Sequence, residues 1–327
     1  MSGRVERARR LRYGLSVPVP GPGSVTINPL LLGAIAVTAL GVVGLRRRAP
    51  RQTHSAERWI ALASALVLLA LVWISPVSTV AQHYLLTAHL LQITLLMGAV
   101  PPLLLLALPL HPRVHVPRAV GALLRALVHP IPAVLLVNVA FFGWHLSPPY
   151  DAAMADWRLY AAQQLTLLLA SIAFWWPIVS PLSPPAKAIS PLSKLGYILL
   201  ATIPQTFGGL IVALAHHPLY EVYTSAPRLL GISVMSDQQI AGACIALVSK
   251  VSLFAAFFVI FMRALQSSPE ADEGGGGGGG GRPHSGAPMP IPSGTLGWLR
   301  DVEQGHTVSE PEPARVRQPA VSGSRPG

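Results

Sequence analysis

Cysteine and charged side chains are scarce in this sequence of 327 residues. Its single cysteine, Cys244, excludes an intrachain disulfide and the paired-thiolate motifs that hold metals. Charged residues make up 11% of the chain, whereas soluble domains carry about 25%. Acidic residues are the scarcer kind, with 13 Asp and Glu against 24 Lys and Arg. This deficit of charge indicates that most of the chain lies in a lipid bilayer.

Long apolar runs take the place of the missing charges. The chain is 51% hydrophobic, with a mean hydropathy of +0.51, and a helix needs about 20 apolar residues to cross the hydrocarbon core. The first run is followed by Arg46–Arg48 instead of a small-residue cleavage site, so we interpret it as a retained span and not a signal peptide. The pattern predicts an all-α bundle of seven transmembrane helices, near residues 28–45, 59–80, 84–108, 131–146, 159–179, 195–215 and 239–264.

Polar segments flank this membrane domain, which we place at residues 28–265. Residues 1–27 form a basic N-terminal arm, and residues 266–327 form a tail that contains eight consecutive glycines, Gly274–Gly281. Such a tail cannot bury enough apolar surface to fold, so we predict that it is disordered. The formal net charge of +11 favours anionic lipid headgroups as a partner. Nucleic acid is not predicted, because a basic folded face with reading elements is missing.

Loop charges predict the orientation of the bundle. Cytoplasmic loops are enriched in Lys and Arg, and the loops on one side of the predicted bundle are basic. The loops on the other side carry only Arg158 and Arg228. The C-terminus is therefore expected in the cytoplasm and, with seven spans, the N-terminus outside. The arginines of the N-terminal arm oppose this orientation. If the first helix were re-entrant, every later helix would keep the same orientation. The loops of the basic side carry Arg46, Arg47, Arg48, Arg51, Arg113, Arg118, Arg125, Lys187 and Lys194.

Polar side chains recur at the outer ends of the predicted helices. In "QHYLLTAHLLQ", helical spacing places Gln82, His89 and Gln92 on one face and His83 about 120° away. Moving a polar side chain from water into hydrocarbon costs free energy unless the side chain forms a hydrogen bond or binds a ligand. Two simpler interpretations stay open: histidines at helix ends are often only interfacial residues, and glutamines often only join helices by hydrogen bonds. We predict an outward-facing polar pocket, to which other helices and loops contribute His145, Asp151, Gln163, Gln164, His216, His217, Asp237 and Gln238.

Lys250 stands apart from this pocket. It follows Gln239 by eleven residues, about 16 Å into the seventh predicted helix, and the predicted spans contain no Asp or Glu at that depth. Two interpretations stay open: a lysine that is neutral or bonded to carbonyl groups, and a lysine that pairs with an acidic residue of another membrane protein.

Several motifs of the membrane domain resemble those of the bacterial CtaG-type family, the assembly factors of caa3-type cytochrome c oxidase. The resemblance covers about residues 59–264 and implies a multi-pass plasma-membrane protein that works with oxidase subunits, at the oxidase copper centres. Many relatives have "QH" where Gln92-Ile93 stands and "EH" where Gln163-Gln164 stands. The matching motifs are "SPVSTVAQHYLLTAHLLQ", "VPPLLLLALP", "WHLSPPYD", "FWWPIVSPL", "HPLY" and "SDQQIAG". The site positions that match are His83, His89, Gln92, His145, Asp151, Asp237 and Gln238.

Copper chemistry narrows the metal prediction. Imidazole binds copper in both oxidation states, so we predict transient copper binding by His83, His89 and His145, in a transfer site and not a storage site. A scaffold that binds no metal is the alternative. The sequence shows no set of nucleophile, base and orienting residue, so an enzyme is not predicted.

Three other functions compete with the assembly role. A small-ion or metal transporter would continue its polar residues to the inner face, where the sequence offers little beyond Lys250. A retinal protein would need an intramembrane carboxylate as counter-ion. A membrane b-type cytochrome would need facing histidines, a pair that only His89 and His145 could supply.

Overall fold

The computed structural model describes residues 19–49, 55–109, 117–179, 190–247 and 250–266, and these ranges contain helices and turns but no strand. The basic arm through residue 18 lies outside the described residues, as do Arg51, Arg113, Lys187 and the predicted disordered tail from residue 267. The helices of the described ranges are α1 Pro29–Arg47, α2 Ala56–Ile74, α3 Pro76–His83, α4 Leu86–Gly98, α5 Val100–Ala107, α6 Arg118–Leu127, α7 Pro130–His145, α8 Ser147–Ala155, α9 Trp157–Val179, α10 Pro191–Leu214, α11 Glu221–Thr224, α12 Val234–Leu247 and α13 Lys250–Gln266.

The described residues contain five helices that are long and apolar enough to cross a membrane, and six if the bent pair of α6 and α7 counts as one span. The all-helical, multi-pass character predicted from the sequence is confirmed. The predicted seventh helix, near residues 239–264, corresponds to α12 and α13, of 14 and 17 residues. Residues 248–249 between them lie outside the described ranges, so the seventh span stays a prediction.

The second and third predicted helices are each interrupted. The prediction of a single helix near residues 59–80 is wrong, because the chain breaks at Ser75 between α2 and α3. Ser75 is extended, its side chain accepts a hydrogen bond of 3.1 Å from Val77 N, and Pro76 opens α3. Proline favours a first helical position because it has no N–H to leave unpaired. The third predicted helix is divided at Ala99, just before Pro101 and Pro102.

A further break falls between α3 and α4. Leu85 has an extended backbone, so Gln82 and His83 belong to α3, whereas His89 and Gln92 belong to α4. The single helical face predicted for Gln82, His89 and Gln92 is therefore wrong. The reason is that the chain turns at Tyr84 and Leu85, where helical spacing no longer applies.

Two arginines join the ends of α1, α2 and α5. Arg46 Nη1 donates to the carbonyl of Ala107 at 3.1 Å, and Arg58 Nη1 donates to the carbonyls of Leu106, at 3.4 Å, and Leu108. The last carbonyls of a helix lack intrahelical partners and carry partial negative charge. The guanidinium groups therefore stabilise the C-terminal end of α5, on the side of the bundle where the sequence predicts the cytoplasm.

Helices α10 and α12 pack through glycine. A Cβ atom on Gly242 would contact the backbone nitrogen of Ala213 and lie 2.5 Å from the carbonyl oxygen of Gly209. Small residues allow this close backbone approach in membrane bundles. The contact holds α12 against α10, while α12 also packs on α4.

Candidate functional site

The structure brings together two of the predicted histidines. His89, in α4, is completely buried, and His145 is the last residue of α7. Their ring centroids lie 6.2 Å apart. The ring of Tyr150, from α8, lies against both, at 5.1 Å from His89 and 5.9 Å from His145. The predicted convergence of residues from different helices is thus present at this pair, which we call the histidine pair.

Three of the four ring nitrogens of the histidine pair have no hydrogen-bond partner. The Nδ1 atom of His145 lies 2.6 Å from the carbonyl oxygen of Phe141, and a carbonyl can only accept, so Nδ1 carries the proton and Nε2 carries the lone pair. That Nε2 atom and both nitrogens of His89 are buried without a partner. Buried polar atoms are usually bonded, because leaving one unpaired costs about 1–3 kcal/mol. These three nitrogens are therefore available to bind a ligand.

The aromatic hydroxyl groups around the histidine pair are bonded, in contrast. Tyr160 donates to Gln92 Oε1 at 3.1 Å, and Gln92 Nε2 donates to Tyr160 and to the carbonyl of Val72. Both ends of the predicted site residue Gln92 are therefore used within the protein. Gln92 positions Tyr160, whose ring centroid is 6.4 Å from that of His89.

Three tyrosines cover the histidine pair from the segments outside the spans. Tyr223 O–H donates to the carbonyl of Ala81 at 2.5 Å, so its 2.9 Å bond with Tyr150 has Tyr150 as the donor. Tyr220 O–H donates to the carbonyl of His145 at 2.9 Å. Burial raises the pKa of Tyr150 and Tyr223 well above the ordinary value, so both are neutral donors. The sequence did not predict these roles, although Tyr150 and Tyr220 lie in the motifs "SPPYD" and "HPLY".

Asp237 fixes the start of the helix that carries His89. Its carboxylate accepts hydrogen bonds from the backbone nitrogens of Leu86, at 2.7 Å, and Thr87, at 3.0 Å, and Thr87 Oγ1 donates to the Asp237 carbonyl at 2.9 Å. Leu85, the residue at the N-cap position of α4, supplies no side-chain bond. Asp237 therefore caps α4 from α12, in the turn that also contains His89.

Two more predicted site residues hold the segment that covers the histidine pair. The carboxylate of Asp151 accepts hydrogen bonds from the backbone nitrogens of Glu221, at 3.4 Å, and Val222, at 3.2 Å, and so caps α11. Burial raises the pKa of Asp151, although these two bonds act in the opposite direction. Gln238 accepts from Leu219 N at 2.8 Å and donates to the His217 carbonyl at 3.1 Å. Both residues keep the segment 217–224, including Tyr220 and Tyr223, over the pair.

Other predicted residues lie away from the histidine pair or outside the described side chains. His83 ends α3, on the far side of the break before α4, and no group of three or more His, Cys, Asp or Glu in the described part of the chain is placed to hold a metal ion. His216 and His217 are exposed. Lys250 begins α13, but its side chain is not among those described.

Two predicted glutamines are buried next to each other on α9. Gln164 accepts a 3.0 Å hydrogen bond from Trp73 Nε1, which joins α9 to α2. Gln163 is completely buried, and both ends of its amide lack a partner. Ser171, two turns further along α9, is likewise buried without a partner for its hydroxyl.

A small cavity of about 40 Å³ lies next to the histidine pair. Phe141 lines it and also stacks on His145, with ring centroids 4.3 Å apart. Ser171, Gln205 and Met97 contribute to its wall. A volume of this size holds a water molecule or two, so the unpaired hydroxyl of Ser171 has room for a water partner.

Comparison with known proteins identifies the family. Residues 37–267 match the model of the family described as cytochrome c oxidase caa3 assembly factor (Caa3_CtaG). No curated protein sequence and no solved structure matches the chain. The matched residues cover well over half of the chain and include the histidine pair, its tyrosine cover and Asp237. The protein therefore belongs to the family of caa3-type cytochrome c oxidase assembly factors.

Proposed function

We propose that this protein assists maturation of a copper centre in a bacterial cytochrome c oxidase, with the histidine pair as a transient copper site. The observation that carries the proposal is that three of four ring nitrogens are buried and unpaired inside a membrane bundle. Ionisable residues within membrane domains most often mark a functional site. Copper is the cargo in this proposal, and the protein acts as an assembly factor without a catalytic step.

The donor set of the pair fits copper. Imidazole nitrogens bind metals of this type at about 2 Å, so one ion held in a nearly linear arrangement between two imidazoles separates their ring centroids by about 6 Å. The observed separation is 6.2 Å. His145 also donates its Nδ1 proton to a backbone carbonyl, which is how metal-binding histidines are commonly oriented.

The small number of ligands favours transfer over storage. Two imidazoles leave further coordination positions open, which ligands of a copper donor or of an oxidase subunit can enter. The sequence predicted His83 as a third ligand, but the break between α3 and α4 separates it from His89. We therefore assign the site to His89 and His145 alone.

Access to the pair requires movement of its tyrosine cover. Hydrogen bonds join segment 217–224 to α8 through Asp151 and to α12 through Gln238. They also join it to α7 through Tyr220 and to α3 through Tyr223. We place this cover at the outer membrane surface, because cytoplasmic segments are enriched in Lys and Arg and seven described cations lie at or near the opposite ends of the helices, against Arg158 and Arg228 on the side of the cover. Those cations are Arg46, Arg47, Arg48, Arg58, Arg118, Arg125 and Lys194.

The test is a deletion strain complemented with variants of the pair. We expect deletion to lower the oxidase copper content and activity, and His89→Ala or His145→Ala to fail to restore them. His216→Ala, at an exposed histidine, is the matched control and should restore both. Normal oxidase in the deletion strain would contradict the assembly role, and full rescue by both variants of the pair would contradict the copper site alone.

A further inference from the structure

Helix α6 has a one-sided arrangement of apolar side chains that nothing in the described part of the protein covers. None of its residues is buried. Val120, Leu123, Leu124 and Leu127 are between 37% and 59% exposed. Large apolar side chains that are exposed on one helix face mark an interaction surface.

Helical spacing separates the apolar and basic residues of α6. At about 100° per residue, the four apolar side chains fall within an arc of about 100°. Arg118 and Arg125, seven residues apart, lie together on the opposite face, and both are exposed. A short helix with an apolar arc opposite arginines is the pattern of helices that lie in a membrane interface.

The axis of α6 is steeply inclined to the axis of the neighbouring membrane helix, α7. The axis of α6 is bent by 73° from that of α7, which runs from Pro130 to His145 as part of the membrane domain. With ten residues, α6 is about 15 Å long, half of the hydrocarbon thickness of about 30 Å. It is too short to cross the bilayer, and the bend turns it toward the membrane plane.

We propose that α6 lies in the interface of the cytoplasmic leaflet, with its apolar arc among the acyl chains and Arg118 and Arg125 on anionic phospholipid headgroups. The negative potential of such a surface attracts arginine side chains. Interfacial anchors set the depth and tilt of the helix that they adjoin. Helix α6 therefore fixes the inner end of α7, whose outer end carries His145.

Spin labels on the two faces of α6 test this placement. In a Cys244→Ser background, which removes the single cysteine, Leu124→Cys reports the apolar arc and Ala122→Cys reports the basic side. In vesicles of phosphatidylglycerol and phosphatidylcholine we expect the ratio of oxygen to nickel-complex accessibility to be several-fold higher at Leu124→Cys. Equal, water-like ratios at both labels would overturn the proposal, and they are the outcome expected of a helix that waits for a protein partner.

The dependence on headgroup charge is tested separately. Arg118→Gln combined with Arg125→Gln should lower the ratio at Leu124→Cys in vesicles that contain phosphatidylglycerol, but not in pure phosphatidylcholine. An unchanged ratio in both lipids would overturn the role of anionic headgroups. The unsubstituted chain gives an independent measurement: photoactivatable phosphatidylglycerol in nanodiscs should cross-link to residues 118–127, and no cross-link there would contradict the interfacial position.

Discussion

The cap that α12 supplies to α4 gives the sharpest test of how the histidine pair is positioned. Asp237→Ala removes the carboxylate that accepts from Leu86 N and Thr87 N. Loss of a capping side chain costs about 1 kcal/mol, and each buried donor left unpaired costs about 1–3 kcal/mol. Leu86 is 2% exposed, so we expect Asp237→Ala to lower the free energy of unfolding by about 2–4 kcal/mol.

Asp156→Ala provides the matched control. Its carboxylate caps α9 in the same way, through Arg158 N at 2.6 Å and Leu159 N at 3.3 Å, but at an exposed position. Water can replace an exposed cap, so the expected cost is about 1 kcal/mol or less.

The assay is reversible unfolding of the purified variants in mixed micelles, with the oxidase copper content of complemented cells as a second measurement. We expect a larger loss of stability for Asp237→Ala than for Asp156→Ala, together with a larger loss of oxidase copper. Equal losses of stability would refute the claim that Asp237 is an internal cap of α4. Loss of stability without any loss of oxidase copper would refute the claim that this cap positions His89.

Three other predictions concern the packing and the cover. Gly242→Val should destabilise the protein by about 1–3 kcal/mol, because the added carbons meet Ala213. Gly41→Ala, with open space around it, should be neutral in thermal unfolding. Arg58→Met should lower the melting temperature more than Arg58→Lys, because methionine leaves the carbonyls at the end of α5 unbonded. The raised pKa of Asp151 means that the folded state binds its proton more tightly than the unfolded state. The contribution of Asp151 to stability is therefore full below the ordinary carboxyl pKa and is lost as the pH rises through the raised pKa. The free energy of unfolding, measured against pH, should show this loss in the wild type and not in Asp151→Asn.

Prediction from the sequence succeeded where a residue's position along a helix determines its surroundings. His89 was singled out because it is polar within an apolar run, and it is completely buried. The apolar runs likewise predicted membrane-spanning helices, and the structure contains five or six of them in its described residues. In both cases the periodicity of one helix carries the information.

Prediction failed where the backbone leaves a helix or where the partner is distant in sequence. The break at Leu85 separates His83 from His89, and neither a proline nor a glycine marks it in the sequence from His83 to Leu86. The sequence predicted Asp237 as a site residue but not its hydrogen-bond partners, which are backbone groups about 150 positions earlier. The one sequence signal for that bond was indirect, since Leu85, the N-cap residue of α4, has no side chain that can cap the helix.

We propose that His89 and His145 share one copper ion, and X-ray absorption of the purified protein loaded with Cu(I) measures the ligands of that ion. We predict an imidazole-nitrogen shell at about 2 Å with two ligands, which is lost in His89→Ala and in His145→Ala but kept in His216→Ala. A sulfur-dominated shell, or an unchanged nitrogen shell after either substitution in the pair, would contradict the account.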